Sequence, residues 1–155
     1  MSTVLADVQA AGDASGRLQQ IVAARANLAE QATPAQLYDM LDGTHSAIKR
    51  DFDNFPTDGV NPADLIAAGR GIVRRVAEAR GYSQVAVFGS VARGVAREDS
   101  DIDLLVQPPA HTSLFDLGYL HALFVAILGC PVDLISYGGL KPGMDDDILS
   151  DAVLL

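Results

Sequence analysis

The chain has 155 residues, 49% apolar and 20% charged, which favours one folded unit with a real core over a disordered or fibrous chain. Its net charge of −9 speaks against a broad phosphate-backbone groove, which needs clustered Lys and Arg, so a nucleic-acid partner is not expected. One cysteine, Cys130, rules out a disulfide framework and a multi-cysteine metal site, and no apolar run approaches membrane-span length.

In chain order, the first sixteen residues lack the basic-then-apolar pattern of a secretory leader, so a cytoplasmic protein is expected. Ser15 opens a helical segment with Leu18, Ile21, Val22 and Leu28 at helical spacing. Thr33-Pro34-Ala35-Gln36 reads as a helix start, with a Thr cap, Pro in the first turn and Gln at the capping-box position. Ile48, Phe52 and Phe55 suggest a third helix. The breaker cluster FPTDGVNP comes next, and a boundary is placed there, dividing a helical extension (1–60) from a second unit (61–155).

Asn61-Pro62-Ala63-Asp64 opens the next helix, whose apolar stripe runs through Leu65, Ile66, Gly69, Ile72, Val73 and Val76, and Gly81 ends it. Val85 to Phe88 reads as a strand and Ile102 to Val106 as a second. Ser113-Leu114-Phe115-Asp116 is a capping box for a helix reaching about Leu128. Val132 to Ile135 reads as a third strand, and Asp145 to Asp151 as a short closing helix whose acidic start caps it. The order predicts an α/β (α+β) fold.

The chemistry sits between the strands. On the second strand Ile102, Leu104 and Val106 share one face, which suits the core, and Asp101 and Asp103 share the other with Leu105. Carboxylates two residues apart on a strand lie about 7 Å from one another and repel when unpaired. A hard divalent ion such as Mg²⁺ relieves that repulsion through oxygen ligands. In PVDLIS, Asp133 points opposite to Val132 and Leu134, and it joins the same face if the third strand lies beside the second. Three carboxylates so placed can hold two metals that clamp the attacking and leaving oxygens of a phosphoryl or nucleotidyl transfer.

The turn GSVARG comes directly after the first strand. Gly89 allows close backbone approach, and Ser90 with the next amides opens a short helix suited to a phosphate. Arg93 and Arg97 would add positive charge there, although Arg93 could equally serve as a structural ion-pair partner. Anion contacts on one side and metal ligands on the other fit a nucleoside triphosphate with Mg²⁺.

GSVARGVAREDSDIDLLV, with Val132-Asp133-Leu134, closely resembles the signature of the nucleotidyltransferase superfamily that includes DNA polymerase β. It looks most like the minimal nucleotidyltransferases, the MntA-type antitoxins paired with HEPN-type toxins. The resemblance spans roughly residues 62–155. It implies a polymerase β-like fold, a mixed sheet with flanking helices. It implies that Gly89 and Ser90 hold the triphosphate, that Asp101 and Asp103 ligate two Mg²⁺, and that Asp133 completes the site and helps deprotonate the acceptor hydroxyl. The implied reaction moves AMP from ATP to a tyrosine of the partner toxin. About sixty helical residues precede the unit the resemblance covers, and the motif says nothing of them.

Two other readings stand beside this one. The chain could neutralise a toxin by contact alone, or its first helices, with Arg17, Arg25, Lys49 and Arg50, could bind an operator. His45, His111 and His121 show no metal-ligand spacing, and His121 reads as a packing or surface residue. Tyr38, Tyr82, Tyr119 and Tyr137 carry no mark that singles one out as an acceptor, and Cys130 reads as a small packed hydrophobe.

Overall fold

A computed structural model describes residues 14–155, so the reading of the extreme N-terminus as no secretory leader falls outside the described residues. The helices are α1 (Ala14–Gln31), α2 (Pro34–Asp39), α3 (Ser46–Asp53), α4 (Pro62–Ala79), α5 (Gly89–Ala92), α6 (Leu114–Leu128) and α7 (Asp146–Asp151). The strands are β1 (Ser83–Phe88), β2 (Ile102–Gln107), β3 (Val132–Ser136) and β4 (Val153–Leu154). They form one mixed sheet in the order β3-β2-β1-β4. β1 runs antiparallel to β2 and β4, and β2 runs parallel to β3. The parallel pair needs a crossover, and α6 supplies it.

Local chemistry starts the helices. Thr33 and Gln36 form a reciprocal capping box, as do Ser113 and Asp116, and Asn61 caps α4 through the Ala63 amide. Gly129, at φ 74, closes α6 in the left-handed conformation.

Strand alternation sorts the sheet into two faces. Val85, Val87, Ile102, Leu104, Val106 and Val132 meet α4 and α6 in the main core. The opposite face is not bare. Ala86, Phe88 and Leu105 form a smaller core under Ile135, Tyr137, Leu140, Ile148 and Ala152. Alternation alone sets Leu105 on the carboxylate face without a cover. The short 3₁₀ turn Tyr137–Gly139 and α7 provide it, leaving Leu105 fully buried.

The N-terminal helices join the main core rather than standing off it: Ala29, Leu37, Tyr38, Met40 and Phe52 belong to the same buried cluster as Leu65, Val73 and Phe124. The Tyr38 hydroxyl donates to the Val76 carbonyl (2.6 Å) and the Tyr119 hydroxyl to the Tyr38 carbonyl (2.9 Å). Arg80 lies 3.9 Å from the centre of the Tyr38 ring. Among the described residues no helix is long and apolar enough to cross a membrane.

Candidate active site

β1, β2 and β3 meet at one end of the sheet, where β1 finishes and β2 and β3 begin. In the register Phe88 pairs with Asp103, and Asp103 pairs with Asp133. Partners across a ladder point to the same face, so Asp103 and Asp133 stand side by side on neighbouring strands. Asp101 lies just before β2, exposed, and Asp133 is also exposed, whereas Asp103 is half-buried. Burial raises the Asp103 carboxyl above its ordinary range, and the charges of Asp133 and Asp101 push the same way, with Arg93 opposing. Asp101 and Asp133 are therefore each within electrostatic reach of Asp103.

Their chemistry fits a hard divalent ion: all donors are carboxylate oxygens, they crowd negative charge, and among the described residues no Lys or Arg is salt-bridged to any of the three. Among the described residues no three acidic, His or Cys side chains, these three included, are close enough together to hold a metal ion by themselves. An ion such as Mg²⁺ would therefore need waters and the oxygens of a substrate phosphate to complete its shell.

Opposite the carboxylates lies the α5 turn. Its cap position, Phe88, makes no side-chain bond to the first amides, so these donors are not taken by a cap. Gly89 adopts φ +71, and a Cβ there would collide with an Asp103 carboxylate oxygen. The glycine thus lets the α5 turn and the carboxylate strand pack without a gap. The Asn61 amide donates to the Ala96 carbonyl (2.9 Å), and Ser100 Oγ accepts from the Arg97 amide (2.9 Å), fixing the loop between turn and β2. Ser90 lies half-buried within α5. Arg93, just beyond it, donates to Asp151 (2.7 Å), so the ion-pair alternative raised for this residue is realised.

Other candidates resolve differently. Arg25 is 6% exposed, and Lys49 pairs with Asp53 (3.0 Å), so two of the four cations counted for operator binding are committed within the fold. Asp145 and Asp146 accept from the amides of Lys141 and Gly143 (2.7 and 3.1 Å), so they brace the preceding turn, and Asp145 at the cap position makes no capping bond. His121 Nε2 lies 2.6 Å from the Val132 carbonyl, a packing contact beside β3. Cys130 packs against the core, and burial pushes its thiol up to about 11. The Tyr119 and Tyr137 hydroxyls donate to backbone carbonyls, as does Tyr38. Tyr38, Tyr82 and Tyr119 line a cavity of about 220 Å³ that also involves Pro109 to Thr112. Ser83 pairs with Gln107, so this cavity lies at the end of the sheet away from the carboxylates.

A glycine turn opening a short helix, beside acidic residues at one end of a small mixed sheet, is the arrangement of a nucleotidyltransferase domain. The chain matches that family over residues 70–155 and belongs to it. More particularly, it resembles the protein adenylyltransferase MntA of Thermococcus cleftensis, 38% identical over 80 residues, 52% of this chain and 81% of that protein. It is 40% identical over 73 residues to a provisionally named protein adenylyltransferase of Methanocaldococcus jannaschii, covering 47% of this chain and 78% of the relative. A solved minimal nucleotidyltransferase superposes with TM-score 0.55 at 40% identity, covering 60% of this chain and 95% of that one.

Proposed function

We propose that the chain transfers AMP from ATP to a tyrosine hydroxyl of a partner HEPN-type toxin and so acts as its antitoxin. The observation that carries the reading is the alignment of Asp103 with Asp133 across the β2–β3 ladder, next to the Gly89 turn. The names of the two relatives supply adenylyl as the group and protein as the acceptor.

In this reading Gly89, Ser90 and the first α5 amides bind the triphosphate, and Arg93 adds charge from beside them. Asp101, Asp103 and Asp133 are the metal ligands. Divalent ions held there would neutralise triphosphate charge and polarise the α-phosphate. The acceptor oxygen attacks the α-phosphorus, a new P–O bond forms, the bond to the bridging oxygen of the β-phosphate breaks, and pyrophosphate leaves. Asp133, exposed at the strand start, takes the hydroxyl proton and passes it to water. Positioning and charge complementarity supply most of the rate.

The division into an extension, 1–60, and a catalytic unit, 61–155, belongs to the same proposal. A groove of about 810 Å³, lined by Lys49, Asp53 and Thr57 from the extension and by Gly129, Cys130 and Pro131 from the catalytic unit, offers a seat for the acceptor chain. It ends at the corner that leads into Asp133.

The test is incubation with α-labelled ATP, Mg²⁺ and the candidate toxin. Label is expected on the toxin, and the Asp101→Asn/Asp103→Asn double variant should abolish it. A double variant that transfers nothing yet still neutralises the toxin would replace this reading with neutralisation by contact, which the acidic charge of −9 also permits.

A further inference from the structure

We propose that Arg25, together with Thr57, is a positioning residue for the carboxylate site, so that the first helices are part of the catalytic apparatus. The inference rests on the reading of that site as a metal and nucleotide site.

Arg25 lies on α1, far in sequence from β2 and β3, and it is the one charged side chain in the buried set among the described residues. Its Nη1 donates to the Phe52 and Phe55 carbonyls (2.7 and 2.8 Å), its Nη2 to the Ala126 and Ile127 carbonyls (2.9 and 3.2 Å). The last carbonyls of a helix lack partners within it. One guanidinium thus closes the ends of both α3 and α6, where a cation also suits the helix dipole. The Thr57 hydroxyl donates to the Gly129 carbonyl just beyond. The fit at this corner is tight: a Cβ on Gly129 would lie 2.6 Å from Arg25 Nη2 and 2.7 Å from Thr57 Cγ2.

The corner leads directly into the site. Gly129, Cys130 and Pro131 connect α6 to β3, and the ring of Pro131 stiffens the connection. The Pro131 carbonyl accepts from the Ile102 amide (3.0 Å). Ile102 separates Asp101 from Asp103, and it pairs with Val132, which places Asp133 against Asp103. The two N-terminal residues therefore fix the segment that sets Asp133 against the other two carboxylates. The phosphate turn is carried by β1 and meets this chain of contacts only at Asp103. Its geometry should survive when the corner loosens.

That asymmetry gives the test, made on the full chain with Thr57→Val, Arg25→Lys and Arg25→Met. The first readout is the Mn²⁺ concentration giving half-maximal thermal stabilisation, with Asp103→Asn as the control that should remove the response. The second is kcat against KM for ATP in transfer to the toxin. Folded variants should show the Mn²⁺ midpoint raised about fivefold or more and kcat lowered about tenfold, with KM for ATP within about twofold of wild type. Arg25→Lys, which keeps the charge but not the fork, should fall between wild type and Arg25→Met. If Arg25→Met does not fold, Thr57→Val, which loses one hydroxyl, decides. Folded Thr57→Val and Arg25→Lys proteins with wild-type Mn²⁺ midpoint and kcat would overturn the proposal alone. A wild-type Mn²⁺ response that persists in Asp103→Asn would overturn the site reading and the proposal with it. An intact Mn²⁺ effect without transfer to the toxin would remove the toxin reading and leave the positioning role standing.

Discussion

Asp103 is where the site's physical chemistry concentrates. Its carboxyl is raised by burial and by two neighbouring carboxylates, and the glycine facing it leaves no side chain to shield it. A carboxyl with a raised pKa holds its proton in the folded state at a pH where the unfolded chain, near 3.8, has lost it. Stability from this group therefore falls as pH rises from the unfolded value through the folded one, and the penalty is complete above that window. The metal-free Asp103→Asn variant should accordingly melt a few degrees higher than wild type at neutral pH, with the advantage shrinking as pH approaches the unfolded value. Thermal melts in chelator across that range measure it, and a variant that melts lower throughout would contradict the account. The faces of Asp103 and Asp133 were readable from sequence because strand alternation is a local rule, whereas the pairing of β3 with β2 that brings them together is long-range. Arg25 was not readable. Its acceptors lie 27 to 102 residues away, and a lone arginine on a helix carries no sign of them.

Among the elements, α7 and β4 change the picture most. α7 and the Tyr137–Gly139 turn cover the carboxylate face next to the site, β4 extends the sheet at the β1 edge, and Asp151 of α7 tethers Arg93 beside the Gly89 turn. The Arg93 guanidinium gives one donor to Asp151 and has others for phosphate. An exposed tether of this kind is worth at most about 1 kcal/mol. Asp151→Asn should therefore raise KM for ATP roughly two- to fivefold and leave kcat near wild type, measured by steady-state transfer at low salt. A lowered KM would mean that Asp151 competes with the nucleotide instead. The starts of α2, α4 and α6 were legible because capping is written in three or four adjacent residues. β4 has two residues, too few for any periodicity, and exists because the β1 edge is there to pair with. The acidic start of α7 was legible, with Asp145 at the cap position and Asp146 and Asp147 in the first turn, but a helix cap and a turn brace use the same short carboxylate, and only the fold decides which amides are near.

For the whole molecule, the main question is how the first sixty residues relate to the rest. The breaker cluster before Asn61 is real as a loop, Asn54 to Asn61 lying between α3 and α4. The core nonetheless runs across it, and Phe52 and Leu37 are as buried as Phe124. Removing residues 1–60 would expose Leu65, Ile72 and Phe124 and strip the clamp from the end of α6. The truncated chain is expected to bind a hydrophobic dye, to lose cooperative melting and to lose transfer activity. A truncated protein that melts cooperatively and retains transfer would make the extension a separable docking element. The sequence could announce a boundary because loop formers are local. Which surfaces the helices on either side share depends on long-range packing, which no short window contains.

The pairing of Asp103 with Asp133 also limits how this fold tolerates changes in chain length. Adding or deleting one residue between Gly129 and Val132 would rotate every β3 side chain to the opposite face, burying Asp133 in the main core and exposing Val132. The stretch from Pro108 to Thr112 has no such parity, since it runs into a helix cap rather than a strand register. Length variation compatible with the chemistry should therefore accumulate ahead of α6 and be absent behind it.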